Sequence, residues 1–168
     1  MNAKQIVEKS GFSGEVNDSS EILEQHSHDA SMFEIVPELV VFPNNSEDIK
    51  KLVKSVAGNK KSNPSLSLTA RSAGTDMAGG AINDSIIVNI SKYMTKIGTI
   101  TNDSAEVQPG VFYRDFEEAT LHKELMMPSY PASREMCTVG GMVANNSGGE
   151  KSLEFGKIEK FINELQVV

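Results

Sequence analysis

At 168 residues, 39% hydrophobic and 23% charged, the chain is long enough to bury a core of its own. Its formal charge of −7 and isoelectric point near 5.0 exclude nucleic acid and anionic membrane as main partners, since both require a positive face; any phosphate must be bound locally. A single cysteine, Cys137, excludes an internal disulfide framework, and with no apolar leader at Met1-Asn2-Ala3-Lys4-Gln5 and no apolar run of membrane-spanning length the expectation is a cytoplasmic chain without a transmembrane segment.

Residues 1–32 are polar and weakly patterned, with Gly11, Gly14 and Asn17-Asp18-Ser19-Ser20. They predict a short helix followed by loop, with order beginning near Phe33. Within them His26, His28 and Asp29 are of metal-ligating type, but no second histidine or cysteine cluster accompanies them, so they read as a polar loop and no metal is expected. Glu38-Leu39-Val40-Val41-Phe42 predicts a buried strand ended by Pro43, which donates no ladder hydrogen bond. A helix follows: Ser46 as cap, Glu47 and Asp48 at the positive end of the dipole, an apolar face of Ile49, Leu52, Val53, Val56 and Ala57, and Gly58 as left-handed terminus. Lys60 to Pro64 lead into a second strand, Ser65 to Ala70, and strand, helix, strand implies a right-handed parallel crossover.

Off the end of that strand hangs a glycine-rich loop, Arg71 to Gly80. In open α/β sheets ligands sit at the carboxyl ends of strands, and successive exposed N–H groups form an anion-binding nest. Arg71 itself has bland alternatives, a surface arginine or an ion-pair partner. A Rossmann glycine loop opens a helix, but here Ile86 to Ile90 reads as a further strand, so phosphate would rest on loop amides alone. Lys96 to Ile100 and Ala105 to Val107 predict two strands joined at Asn102-Asp103, and Pro109-Gly110 turns the chain. Phe112 to Leu125 predicts a helix with Phe112, Phe116, Ala119, Leu121 and Leu125 inward and Asp115, Glu117, Glu118 and Glu124 solvated.

Beyond Pro128 to Pro131 comes a second glycine-rich segment, Thr138 to Gly149, containing a short small-residue helix; Cys137 beside it reads as a packing residue. Two nests about sixty residues apart suit a dinucleotide with a diphosphate in its middle. Gly149-Glu150-Lys151-Ser152 is not a P-loop, because Glu150 separates glycine from lysine. Glu164 to Val168 alternates like a strand with no partner, which gives the expectation of a truncated fragment.

These two segments, with His28-Asp29-Ala30-Ser31, Pro37 to Pro43 and Val107-Gln108-Pro109-Gly110, resemble the FAD-binding domain of the vanillyl-alcohol oxidase or p-cresol methylhydroxylase type, nearest its D-lactate, glycolate and 2-hydroxyglutarate dehydrogenase branch. The resemblance implies an α+β fold: a small parallel βαβ subdomain, then a second subdomain with antiparallel strands, gripping FAD between them. Residues 33–168 would be this domain, C-terminally incomplete and without its cap, preceded by an N-terminal segment, 1–32. It places the diphosphate on Arg71, Ser72, Ala73, Gly74, Thr75, Gly79 and Gly80, and the second flavin segment on Pro131, Ser133, Thr138, Val139, Gly140, Gly141, Asn146 and Gly149; Phe155-Gly156 matches a frequent aromatic-glycine pair. Thr75 stands where covalently tethered members often carry histidine, which implies non-covalent FAD, and Met142 stands where asparagine is frequent.

The implied chemistry is oxidation of a small-molecule 2-hydroxy acid by hydride transfer to FAD, with an iron–sulfur subunit or domain as electron acceptor. Catalytic residues belong to the cap in such proteins, so none is assigned and the chain alone is expected to be inactive. Two other functions fit the same residues: a flavoenzyme like UDP-N-acetylenolpyruvoylglucosamine reductase, and a non-catalytic phosphometabolite-binding module.

Overall fold

The structure, a computed structural model, describes residues 1–168. It divides into two compact units, Met1–Tyr93 together with Val168, and Met94–Val167. The first contains α1 (Ala3–Lys9), β1 (Glu15–Asn17), α2 (Ser20–Gln25), β2 (Leu39–Phe42), α3 (Ser46–Asn59), β3 (Leu68–Arg71) and β4 (Ile86–Asn89). Its sheet runs β1-β2-β4-β3, with β2 and β3 both parallel to β4 and β1 antiparallel to β2. The two strands joined through α3 are therefore not neighbours; β4 lies between them.

All four residues of β2 are buried because the sheet is covered on both faces. Leu39 and Val41 join Ala3, Ile6 and Val7 of α1 and Leu52 and Val56 of α3 in one cluster, whereas Val40 and Phe42 pack with Ile87, Ile22 and Leu23 in another. Strand alternation sends successive side chains to opposite faces, so one apolar run serves both.

The N-terminal residues correct the expectation of a helix followed by loop. Asn2 caps α1 in a reciprocal capping box with Gln5. The helix then buries Ala3, Ile6 and Val7, β1 extends the sheet, and α2 lays Ile22 and Leu23 on the opposite face.

In α3 the cap is Asn45 rather than Ser46, its side chain accepting the Asp48 N–H at 3.1 Å. Gly58 is an ordinary helical residue, not a left-handed terminus; the end is closed by Asn59 donating to the Ser55 carbonyl and Lys60 to that of Leu66. Val53 and Ala57 face solvent. Asp48, in the first turn as expected, is fully buried: its carboxylate accepts the Ser13 N–H (3.0 Å), the Ser13 hydroxyl (2.8 Å) and the Asn44 N–H (3.0 Å). β3 begins at Leu68 instead of Ser65 because Leu66 turns into the core and the Ser67 N–H is taken by the Ser85 hydroxyl.

The second unit contains the antiparallel pair β5 (Ile97–Ile100) and β6 (Ala105–Val107), then α4 (Tyr113–Leu121), α5 (Val139–Ala144), α6 (Ser152–Phe155) and a 3-10 turn, Ile158–Phe161. Its core gathers Val111, Tyr113, Phe116, Tyr130, Cys137, Val139, Met142 and Ile158. α4 ends four residues before the expected Leu125, and its inward face is Tyr113, Phe116 and Thr120, leaving Leu121 53% exposed. Glu124 takes a left-handed turn just after it. Glu117 is not a solvated charge, since it accepts the Tyr113 hydroxyl and pairs with Arg134. Glu164 to Val168 forms no strand.

Burial pushes the Asp48 carboxyl pKa up, but the Ser13 and Asn44 N–H groups, the Ser13 hydroxyl and Lys51 outweigh it and hold the pKa below the ordinary 3.8. A depressed folded-state pKa contributes stability above the unfolded value that is lost as pH falls through the folded one. Asp48→Asn therefore costs about 1–3 kcal/mol at neutral pH, and denaturant unfolding shows the gap from wild type closing as pH falls below the ordinary carboxylate range.

Candidate functional site

Residues 72–80 leave the carboxyl end of β3, the edge of a parallel sheet at which ligands sit. Three local constraints shape this loop. Gly74 has φ +70°, and a Cβ there would lie 2.5 Å from Arg71 Nη2; only glycine leaves room for the guanidinium beneath it. Gly79 has φ +81° and abuts the Phe33 ring. Asp76 Oδ2 accepts the N–H groups of Ala78 (3.1 Å) and Gly80 (2.7 Å), which staples the far half. The consecutive N–H groups from Ala73 to Met77 donate to no protein acceptor, although Ala73 to Asp76 are half-buried. Half-buried backbone donors need a partner, and a run of unclaimed N–H groups of this kind is what an anion-binding nest requires.

The loop's charge comes from below. Arg71, only 9% exposed, points under the loop and donates to the Ala81 carbonyl at 3.3 Å. Burial pushes its pKa down and Asp29 opposes the shift, so it stays cationic. Burial pushes the Asp29 carboxyl up, but Ser31, the Ala81 amide and Arg71 together hold it below the usual range. Neither residue is a loose surface charge. His26 closes the floor: Nδ1 lies 2.8 Å from the Ile22 carbonyl, Nε2 2.9 Å from Asn89 Nδ2, and its ring meets Phe42 edge-on. The Asn89 amide is a donor there, which assigns the proton to Nδ1; burial, with Arg71 nearby, pushes the imidazole pKa down and keeps it neutral. The expected grouping of His26, His28 and Asp29 as one polar loop is thus corrected: the first is sealed in the core, and Asp29 lies in the field of Arg71.

The second glycine-rich segment has a different construction. Thr138 is buried and caps α5, its hydroxyl accepting the Gly141 N–H at 3.2 Å; Val139 and Met142 lie in the core. The N–H groups of Val139, Gly140 and Met142 bond to the carbonyls of Val111, Pro109 and Thr138. A Cβ on Gly140 would fall 2.5–2.9 Å from Pro109 atoms, and one on Gly149 would fall 2.2 Å from the Tyr130 carbonyl oxygen, so both glycines let main chain pack on main chain. Asn146, at φ +43°, exchanges hydrogen bonds with Glu159 through both ends of its amide. Pro131 and Ser133 carry the turn before α5, their carbonyls accepting from Arg134 and from Met136 and Cys137. That turn borders a shallow cleft lined by Tyr130, Pro131, Ala132, Arg134 and Glu150. Burial pushes the Cys137 thiol up, consistent with packing.

A mostly parallel sheet with a loop of unclaimed amides over a buried cation at one strand end, followed by a strand instead of a helix, is an α+β arrangement of non-Rossmann kind. The sequence model of the FAD binding domain family matches residues 37–168, and the chain belongs to that family. The loop of open donors, its glycine and its cation fit the diphosphate of such a cofactor, and FAD is the cofactor. The chain is 29% identical over 147 residues to "Glycolate oxidase subunit GlcD" of Bacillus subtilis (strain 168), covering 85% of this chain and 30% of that protein. It is 28% identical over 170 residues to D-2-hydroxyglutarate dehydrogenase of Escherichia coli (strain K12), covering 100% and 16%. It is 31% identical over 132 residues to D-lactate dehydrogenase of Archaeoglobus fulgidus, covering 77% and 28%. The chain thus spans less than a third of the length of these relatives. Solved structures of alkyldihydroxyacetonephosphate synthase (TM-score 0.78, 20% identity, covering 95% of this chain and 33% of that one) and of chitooligosaccharide oxidase (0.74, 12%, 92% and 32%) share the fold, which is of the p-cresol methylhydroxylase type.

Because Gly74 is both left-handed and stacked on Arg71, Gly74→Ala costs about 1–3 kcal/mol. In a double-mutant cycle with Arg71→Ala, denaturant unfolding gives a combined loss smaller than the sum by about 0.5 kcal/mol or more; strict additivity shows that the guanidinium does not oppose a side chain there.

Proposed function

We propose that the chain is the FAD-binding portion of a flavin-dependent dehydrogenase that oxidises a 2-hydroxy acid of the D-lactate, glycolate or 2-hydroxyglutarate class. The observation that carries the binding half of this reading is the run of open amides from Ala73 to Met77 above the buried Arg71; the names of the relatives support the substrate class. Residues 33–168 act as the FAD domain, with residues 1–32 folded into its first sheet and helices.

The first loop holds the diphosphate: the Ala73 to Met77 amides donate to its oxygens, Gly79 and Gly80 keep the Asp76 staple in place, and Arg71 raises the local potential from beneath. Pro131, Ser133, Thr138, Val139, Gly140, Gly141, Asn146 and Gly149 form the flavin-side segment. Most of their role is to fix backbone position, since the α5 amides are already committed within the protein. Binding is reversible, because Thr75 offers no imidazole for a covalent tether. Bound FAD supplies the hydride-accepting chemistry. The base that takes the substrate hydroxyl proton comes from a cap outside these residues, and electrons leave to an iron–sulfur subunit or domain.

The purified chain takes up FAD, seen as quenching of flavin fluorescence during titration. Gly74→Val weakens the affinity at least about tenfold, a loss of about 1.4 kcal/mol, while Lys54→Ala on the exposed side of α3 leaves it unchanged. Equal affinities for both variants refute the placement of the diphosphate.

A further inference from the structure

We propose that Glu24, His28 and Glu34 form a binding site for a divalent transition-metal ion, with zinc as the probe. One ligand atom from each lies within 4.8 Å of the others, and no part of the FAD site uses them. His28 Nε2 stands 3.5 Å from Glu34 Oε1. Two ligands on a tetrahedral ion with bonds of about 2.0–2.1 Å are about 3.3 Å apart, so this pair already has the right separation. Glu24 needs only a rotation of an exposed side chain to complete the set.

The backbone fixes this arrangement. Glu24 lies in the last turn of α2, four residues before His28, and its carbonyl accepts both the Ser27 N–H (3.2 Å) and the Ser27 hydroxyl (2.9 Å). An antiparallel bridge sets His28 opposite Glu34, and the Ile35 N–H donates to the Ser27 carbonyl at 2.9 Å. The neighbours in sequence are disposed of elsewhere: His26 is buried against Asn89, and Asp29 Oδ1 accepts the Ser31 N–H. His28 alone is left outward, beside two carboxylates.

One imidazole and two carboxylates suit zinc, cobalt or manganese rather than magnesium or calcium, which take oxygen ligands alone. Water fills the remaining positions of the exposed site. An ion there ties the end of α2 to the 28–34 segment, whose Phe33 abuts Gly79 of the first glycine loop.

The test uses the whole chain without FAD, so its outcome is independent of the cofactor reading. Zinc added to the protein after chelator treatment binds with one-to-one stoichiometry by calorimetry and raises the melting temperature; magnesium does neither. His28→Ala and Glu34→Gln, both at exposed positions, each weaken zinc binding about tenfold or more, whereas His122→Ala does not. No zinc uptake below millimolar concentration, or uptake undiminished by His28→Ala, overturns the proposal.

Discussion

The guanidinium of Arg71, packed beneath Gly74, is the contact around which the first glycine-rich loop is arranged. Arg71 is the last residue of β3, so the sheet fixes its backbone, and burial fixes its side chain against the Ala81 carbonyl. Above that cation Gly74 takes left-handed backbone at φ +70°, and a Cβ there would lie 2.5 Å from the guanidinium. The N–H groups from Ala73 to Met77 meet no acceptor within the protein. The same residue thus supplies shape and charge, and the sheet supplies its rigidity through the two-sided burial of β2 and β4.

The two glycine-rich segments use the same residue type for different physical ends. In the first, glycine permits positive φ and leaves donors open. In the second, Gly140 and Gly149 permit main chain to approach main chain, at Pro109 and Tyr130, and the amides of α5 are consumed by its own cap and by Val111 and Pro109. The open donors therefore lie in the first loop, whereas the N–H groups that begin α5 are taken up within the protein. The substitution of Met142 for a frequent asparagine follows the same logic, because its side chain is 1% exposed and belongs to the core.

Much of the sheet was legible in the sequence. The apolar runs of β2 and β4, the Asn102-Asp103 turn and the strand after the first glycine loop all declare themselves through local composition. The N-terminal elements did not, because α1 buries only three residues among polar neighbours and β1 is three residues long; both exist through contacts with distant strands. The burial of Asp48 was invisible for the same reason, its donors at Ser13 lying 35 residues away. Cap positions slipped by one, Asn45 for Ser46, since either residue type can serve. In the site, the loop itself was readable from glycine density, but the burial of Arg71, the sealing of His26 and the filling of Gly140 by Pro109 required tertiary structure.

In the proposed binding mode the amides from Ala73 to Met77 are the donors that meet the diphosphate, and backbone amide resonances test this directly. In a titration of the isotopically labelled chain with FAD, those amide signals shift together at low cofactor concentration, while Gly140 and Met142, already hydrogen-bonded, keep slow hydrogen exchange before and after. Saturable FAD binding that leaves the Ala73 to Met77 signals unmoved contradicts the account.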